Sequence, residues 1–73
     1  MSSTVLLRAP EPNEVLTTSP LPHLRRLVVT VSDAEVVITG RVPSFYLKQL
    51  AQEAIRPSLG HRRLRNHVEV GHS

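Results

Sequence analysis

Leu27-Val28-Val29-Thr30-Val31-Ser32-Asp33-Ala34-Glu35-Val36-Val37-Ile38-Thr39-Gly40 is the stretch that decides the fold. β-Branched side chains dominate it, and these fit a pleated, half-buried surface better than a helix. Strand side chains alternate between faces, which puts Leu27, Val29 and Val31 on one side and Arg26, Val28 and Thr30 on the other. Val36 and Ile38 resume the apolar side, with Val37 and Thr39 opposite. Ser32-Asp33-Ala34-Glu35 connects the two runs as a hairpin, because these side chains hydrogen-bond locally and favour turns. It lacks the glycine that a tight type I′ loop prefers, so a wider type I geometry is expected. Gly40 ends the second strand.

Outward from that hairpin, Pro43-Ser44 opens a helix with Ser44 as N-cap. Leu47, Leu50, Ala51, Ala54 and Ile55 recur at helical spacing and form its buried stripe, while Lys48, Gln49, Gln52 and Glu53 face water. Pro57 and Gly60 stop it. The alternating run Leu64-Arg65-Asn66-His67-Val68-Glu69-Val70 then supplies a third strand. Leu64, Asn66, Val68 and Val70 share one face, and Arg63, Arg65, His67 and Glu69 share the other. Asn66 is the anomaly among apolar neighbours. A buried amide costs free energy unless it is hydrogen-bonded, so Asn66 ties down a neighbouring segment or marks a bulge.

The order β-β-α-β defines an α+β fold, with a three-stranded mixed sheet packed against one helix. A chain of 73 residues holds one small domain, and a domain of that size buries only about 60% of its unfolded surface. It has no cysteine, so neither a disulfide nor a thiolate zinc site supplements the core. Residues 24–71 are expected to form the domain. Residues 1–23 are expected to be a proline-rich flexible arm, because Pro10, Pro12, Pro20 and Pro22 crowd it and proline breaks helices. A single turn around Asn13-Glu14-Val15-Leu16, capped by Asn13, is the one piece of structure such an arm could hold. The first residues carry no basic segment followed by a long apolar one, so neither a secretory signal nor a membrane span is expected, and a cytoplasmic setting is the default.

Nine Lys and Arg against six Asp and Glu give a formal charge of +3. The arm contains Arg8, Glu11 and Glu14, so the excess lies in the folded part. A basic domain favours anionic partners, although solubility alone accounts for such a charge equally well.

The spacing Val29-x-Val31-x-Asp33-Ala34-x-Val36-x-Ile38-x-Gly40 resembles the BON domain, the bacterial osmotic-stress and nodulation family. The later residues Ala51 and Ala54 on a helix and Gly60-x-x-x-Leu64-x-Asn66-x-Val68-x-Val70 extend the resemblance. Three positions depart from the family's pattern: Ala34 replaces the turn glycine, His61 the valine after Gly60, and Ser58 an apolar residue, a contact that Leu59 could restore. The family's arrangement is α-β-β-α-β, whereas the prolines here argue against a full first helix. An apolar strip of Leu27, Val29, Val36 and Ile38 must then be closed by the arm or by a second copy of the chain.

The resemblance implies binding rather than catalysis, with anionic phospholipid or another protein as partner. Arg26, Arg41, Arg62, Arg63, Arg65 and His67 are the candidate anionic-ligand face, and Gly40, Ser44, Gly60 and Asn66 are structural candidates. Weak binding to a nucleic-acid backbone through the arginine-rich third strand is the alternative. It ranks lower because Phe45 and Tyr46 are the only aromatics and lie off the strands, leaving no stacking platform.

No cofactor is implied. His61, His67 and His72 lack a complementing Cys or well-spaced carboxylate for a metal, and no histidine is placed to activate Ser32. There is no glycine-rich phosphate loop. An enzyme is not expected.

Overall fold

The computed structural model describes residues 11–71. Among the described residues two short helices, α1 (Pro12–Thr17) and α2 (Pro22–Arg25), precede strands β1 (Val28–Val31), β2 (Glu35–Thr39) and β3 (Arg41–Val42). Helix α3 (Phe45–Ile55), a 3-10 turn (Arg56–Ser58) and strands β4 (Arg63–Asn66) and β5 (Glu69–Val70) complete the chain. The class is α+β, as the sequence indicated.

The hairpin forms as expected. β1 pairs antiparallel with β2, Val29 opposite Ile38 and Val31 opposite Val36. Among the described residues no side-chain-bearing residue has positive φ, so a type I′ loop at Asp33-Ala34 is ruled out. Ser32 closes the turn instead. Its N–H donates to the Glu35 carbonyl at 2.9 Å, and its Oγ accepts from the Glu35 N–H at 3.2 Å.

β4 lies parallel to β2 on the side away from β1, giving the order β1-β2-β4 and the mixed sheet expected. β3 and β5 form a second parallel pair in the same register. Glu35 faces Arg63 and Val42 faces Val70, an offset of 28 residues in both. Hydrogen bonds from His67 N–H to the Ile38 carbonyl (2.9 Å) and from Glu69 N–H to the Gly40 carbonyl (2.9 Å) bridge the two pieces. They are one ladder, interrupted at Gly40.

Gly40 has φ +133°, a region that side-chain-bearing residues rarely adopt. A Cβ there would sit 2.6 Å from Leu27 Cδ2, so Leu27 packs directly over the bare backbone. Gly60, at φ +65°, turns the chain from the 3-10 segment towards β4.

Helix α3 starts at the expected cap, where Ser44 Oγ accepts from Leu47 N–H at 3.3 Å. Ala51 and Ile55 are fully buried, and Leu47, Leu50 and Ala54 pack beside them. Lys48 and Gln52, expected in water, are half-buried. Leu59 packs against the core, filling the place that Ser58 leaves, whose Oγ donates to the Ile55 carbonyl at 2.8 Å.

The expectation of an extended arm is corrected over residues 12–23, which supply α1 and the start of α2; residues 1–10 lie outside the described residues. Pro12 does not break α1 but starts it, since the first helical position needs no amide donor. The cap is Glu11 rather than Asn13, and Glu14 Oε1 accepts from the Glu11 N–H at 3.0 Å. Pro20 and Pro22 then divide what would be one helix into two. Leu16 and Leu24, one from each piece, are buried in the same core as Val36, Ile38, Val42, Ala51, Ile55 and Val68. The sheet is therefore covered by α1 as well as by α3, with α2 packed on both helices, and the strip of Leu27, Val29, Val36 and Ile38 joins a core to which the arm contributes Leu16. Val70 also departs from expectation: it is exposed, at the end of the short strand β5.

Candidate ligand-binding face

All three helices contribute buried residues to one core, and the alternation of β2 places that core on one side of the sheet. Val36 and Ile38 face the helices, with Leu64 and Asn66 beside them in the β4 register. The residues between, Glu35, Val37 and Thr39 on β2 and Arg63 and Arg65 on β4, lie on the other side. Val28 and Thr30 of β1 continue that open face, Val28 with 58% of its surface accessible.

The candidate basic residues separate into three groups. Arg63 and Arg65 stand next but one to each other on the open face, as period two requires, and His67 follows them on the same ladder. Arg65 Nε sits 2.9 Å from Glu35 Oε1, an exposed pair that leaves the guanidinium largely in solvent. Arg63 has no ion pair among the described residues. Arg41 lies at the far end of the ladder, its Nη2 3.2 Å from Glu69 Oε1. Such exposed pairs are worth at most about 1 kcal/mol and yield readily to a competing anion.

Arg62 is diverted from any such face. Its Nε donates to the Leu59 carbonyl at 2.9 Å and its Nη2 to the Ser58 carbonyl at 3.0 Å. These carbonyls lie at the end of the helical segment, where the dipole favours a cation, and the Leu59 carbonyl also accepts the Arg62 backbone N–H at 3.2 Å. Arg26 is also set apart. It ends α2 in a helical conformation, φ −88° and ψ −9°, so strand alternation does not carry through it.

Asn66 is the joint between layers. Its Nδ2 donates to the Lys48 carbonyl of α3 at 3.0 Å and approaches Gln52 Oε1 at 3.4 Å, while its Oδ1 accepts from Val68 N–H at 3.1 Å. The amide thus satisfies both its donor and its acceptor, and it fixes α3 against β4. Lys48 and Gln52, one helical turn apart, lie over this joint. Their i, i+4 spacing was visible in the sequence, but nothing in an apolar-stripe reading assigned them to the β4 flank.

Ser32 is consumed by its turn, and His61 Nε2 lies 3.2 Å from the Asp33 backbone oxygen rather than from a nucleophile. The adjoining hollow, about 330 Å³, is lined by Val31, Ser32, Asp33, Leu59, Gly60, His61 and Arg62. Among the described residues no group of three metal-binding side chains converges, and His72 lies outside them. No described helix is long and apolar enough to cross a membrane. Phe45 and Tyr46 sit on α3 and not on the sheet, so the open face offers no aromatic surface for base stacking.

This is an open, basic sheet face on a small helix-backed scaffold, the anatomy of a binding domain. The family model for the BON domain matches residues 13–72, and the chain belongs to that family. The match begins within α1, in keeping with a first helix that is present though divided. BON domains are in general binding modules rather than enzymes. No curated protein and no solved structure matches it.

Proposed function

We propose that this domain docks on anionic phospholipid surfaces through the open face of its sheet. The observation that carries the reading is the one-sidedness of the sheet: the helices pack on one face, and the other presents Arg63 and Arg65 beside exposed β-branched residues. A lipid headgroup layer is a broad anionic plane, and a flat sheet face meets it without needing a pocket. Guanidinium groups suit phosphate because they donate two parallel hydrogen bonds. Each basic residue near an anionic membrane contributes about 1 kcal/mol, so the contact is weak and works through several residues acting together.

Flotation with vesicles of phosphatidylglycerol or of phosphatidylcholine, across a salt series, tests the proposal. Binding to the anionic vesicles alone, falling as salt rises, is the expected result. Reversing Arg63 and Arg65 to Glu should reduce it by about 100-fold or more, since two attractive charges become repulsive. Equal binding to both lipids, or none to either, overturns it.

A further inference from the structure

Among the described residues nothing pairs with the outer edge of β4, and a groove beside it carries an exposed aromatic. We propose that this edge takes an extended acidic peptide from a protein partner as an added strand. β4 ends the sheet order, and Arg63 and His67 direct their N–H groups at the carbonyls of Ala34, just before β2, and of Ile38 within it, at 3.0 and 2.9 Å. In a parallel ladder the alternate residues point the other way, so Leu64 and Asn66 turn their backbone donors and acceptors outward. Exposed edges of this kind are templates for a further strand. Val68 closes the template at one end, its N–H taken by Asn66 Oδ1.

Beyond the edge lies a groove of about 250 Å³ lined by Phe45, Lys48, Gln49, Gln52 and Asn66. Phe45 is 65% exposed and its neighbour Tyr46 69%, and they are the only aromatic residues of the chain. Buried aromatics anchor interfaces out of proportion to their number. On an added strand, side chains opposite Leu64 and Asn66 would lie on the groove side and those opposite Arg63 and Arg65 on the open side.

Charge selects the occupant. An antiparallel pairing of β4 with a second copy, centred on Leu64, would set Arg63 of one copy opposite Arg65 of the other, and like charges directly opposed are destabilising. A strand with carboxylates at alternate positions meets the same arginines favourably. Apolar residues between them face Phe45, and Lys48 adds a positive group at the rim.

The test uses a short blocked peptide alternating glutamate with valine and leucine, titrated into the ¹⁵N-labelled chain. The largest shifts are expected at the Leu64 and Asn66 amides. N-methylation of alternate peptide amides, on the edge-facing side, should weaken binding by about tenfold or more, because it removes strand pairing and leaves the charges. Arg63→Glu should weaken it comparably, and Phe45→Ala several-fold with unchanged circular dichroism. Equal binding of the methylated peptide, no binding of the unmodified one, or concentration-dependent shifts at β4 without peptide would each overturn the proposal. The last would mean that a second copy occupies the edge.

Discussion

The two faces of this sheet are drawn from the same strands and differ by one residue of phase. On the covered face, Val36 and Ile38 have no accessible surface and belong to the core that the helices share. On the open face, Val37, Thr39 and Arg65 alternate with those core positions and point away from the described helices. Neighbouring residues thus divide the labour of the domain: even positions of β2 hold the fold, and odd positions are free to meet a ligand. Small size makes the division sharp, because a single core layer is all that the chain can build.

Substitutions on opposite faces should break this comparison if it is wrong. Ile38→Ala removes a fully buried side chain beneath α3 and should cost about 4 kcal/mol in chemical denaturation, near the upper end for such cavities. A chain of this length has only about 4–10 kcal/mol of stability, so much of the domain would unfold. Val37→Ala, one residue away, should cost less than about 1 kcal/mol.

The next largest effect falls on the arm. Leu16→Ala should cost about 3 kcal/mol if α1 is part of the covered face, measured by the same denaturation midpoint. A neutral result would return residues 12–17 to the status of a detachable leader. Asn66→Ala tests the joint between layers. It frees the Lys48 carbonyl and the Val68 N–H together and should cost about 2 kcal/mol, with faster amide exchange at Val68. Smallest of all, Arg65→Ala breaks an exposed pair with Glu35 and should change stability by under about 1 kcal/mol. Its effect belongs on the open face, in weaker vesicle binding.

Much of the covered face was legible in the residues. Period-two valines placed β1 and β2, Ser44 and the Leu47-Ala51-Ile55 spacing placed α3, and Asn66 announced a specific hydrogen bond by standing where an apolar side chain belongs. The arm's helices are hidden by its prolines, which break a helix in its interior. At the first helical turn they are helix starters, and Pro12 and Pro22 both stand there. Leu16 and Leu24 gave no periodic signal across Pro20, so their shared burial appears only in three dimensions.

The basic face was legible in part. Strand alternation gathered Arg63, Arg65 and His67 correctly, because their spacing is local. Arg62 was lost to the carbonyls of Ser58 and Leu59, a use that depends on how the chain leaves α3. The groove at Phe45 has no signature in the sequence, because it joins α3 to the edge of β4, residues that sequence spacing does not bring together.

One measurement reaches the central claim, that the open face and not the covered one meets the ligand. Amide spectra of the ¹⁵N-labelled chain with anionic bicelles should show perturbation at Thr30, Val37, Arg63 and Arg65, with Leu16, Ala51 and Ile55 unmoved. Perturbation centred on the helices, with the Val37 and Arg65 amides unchanged, would contradict it.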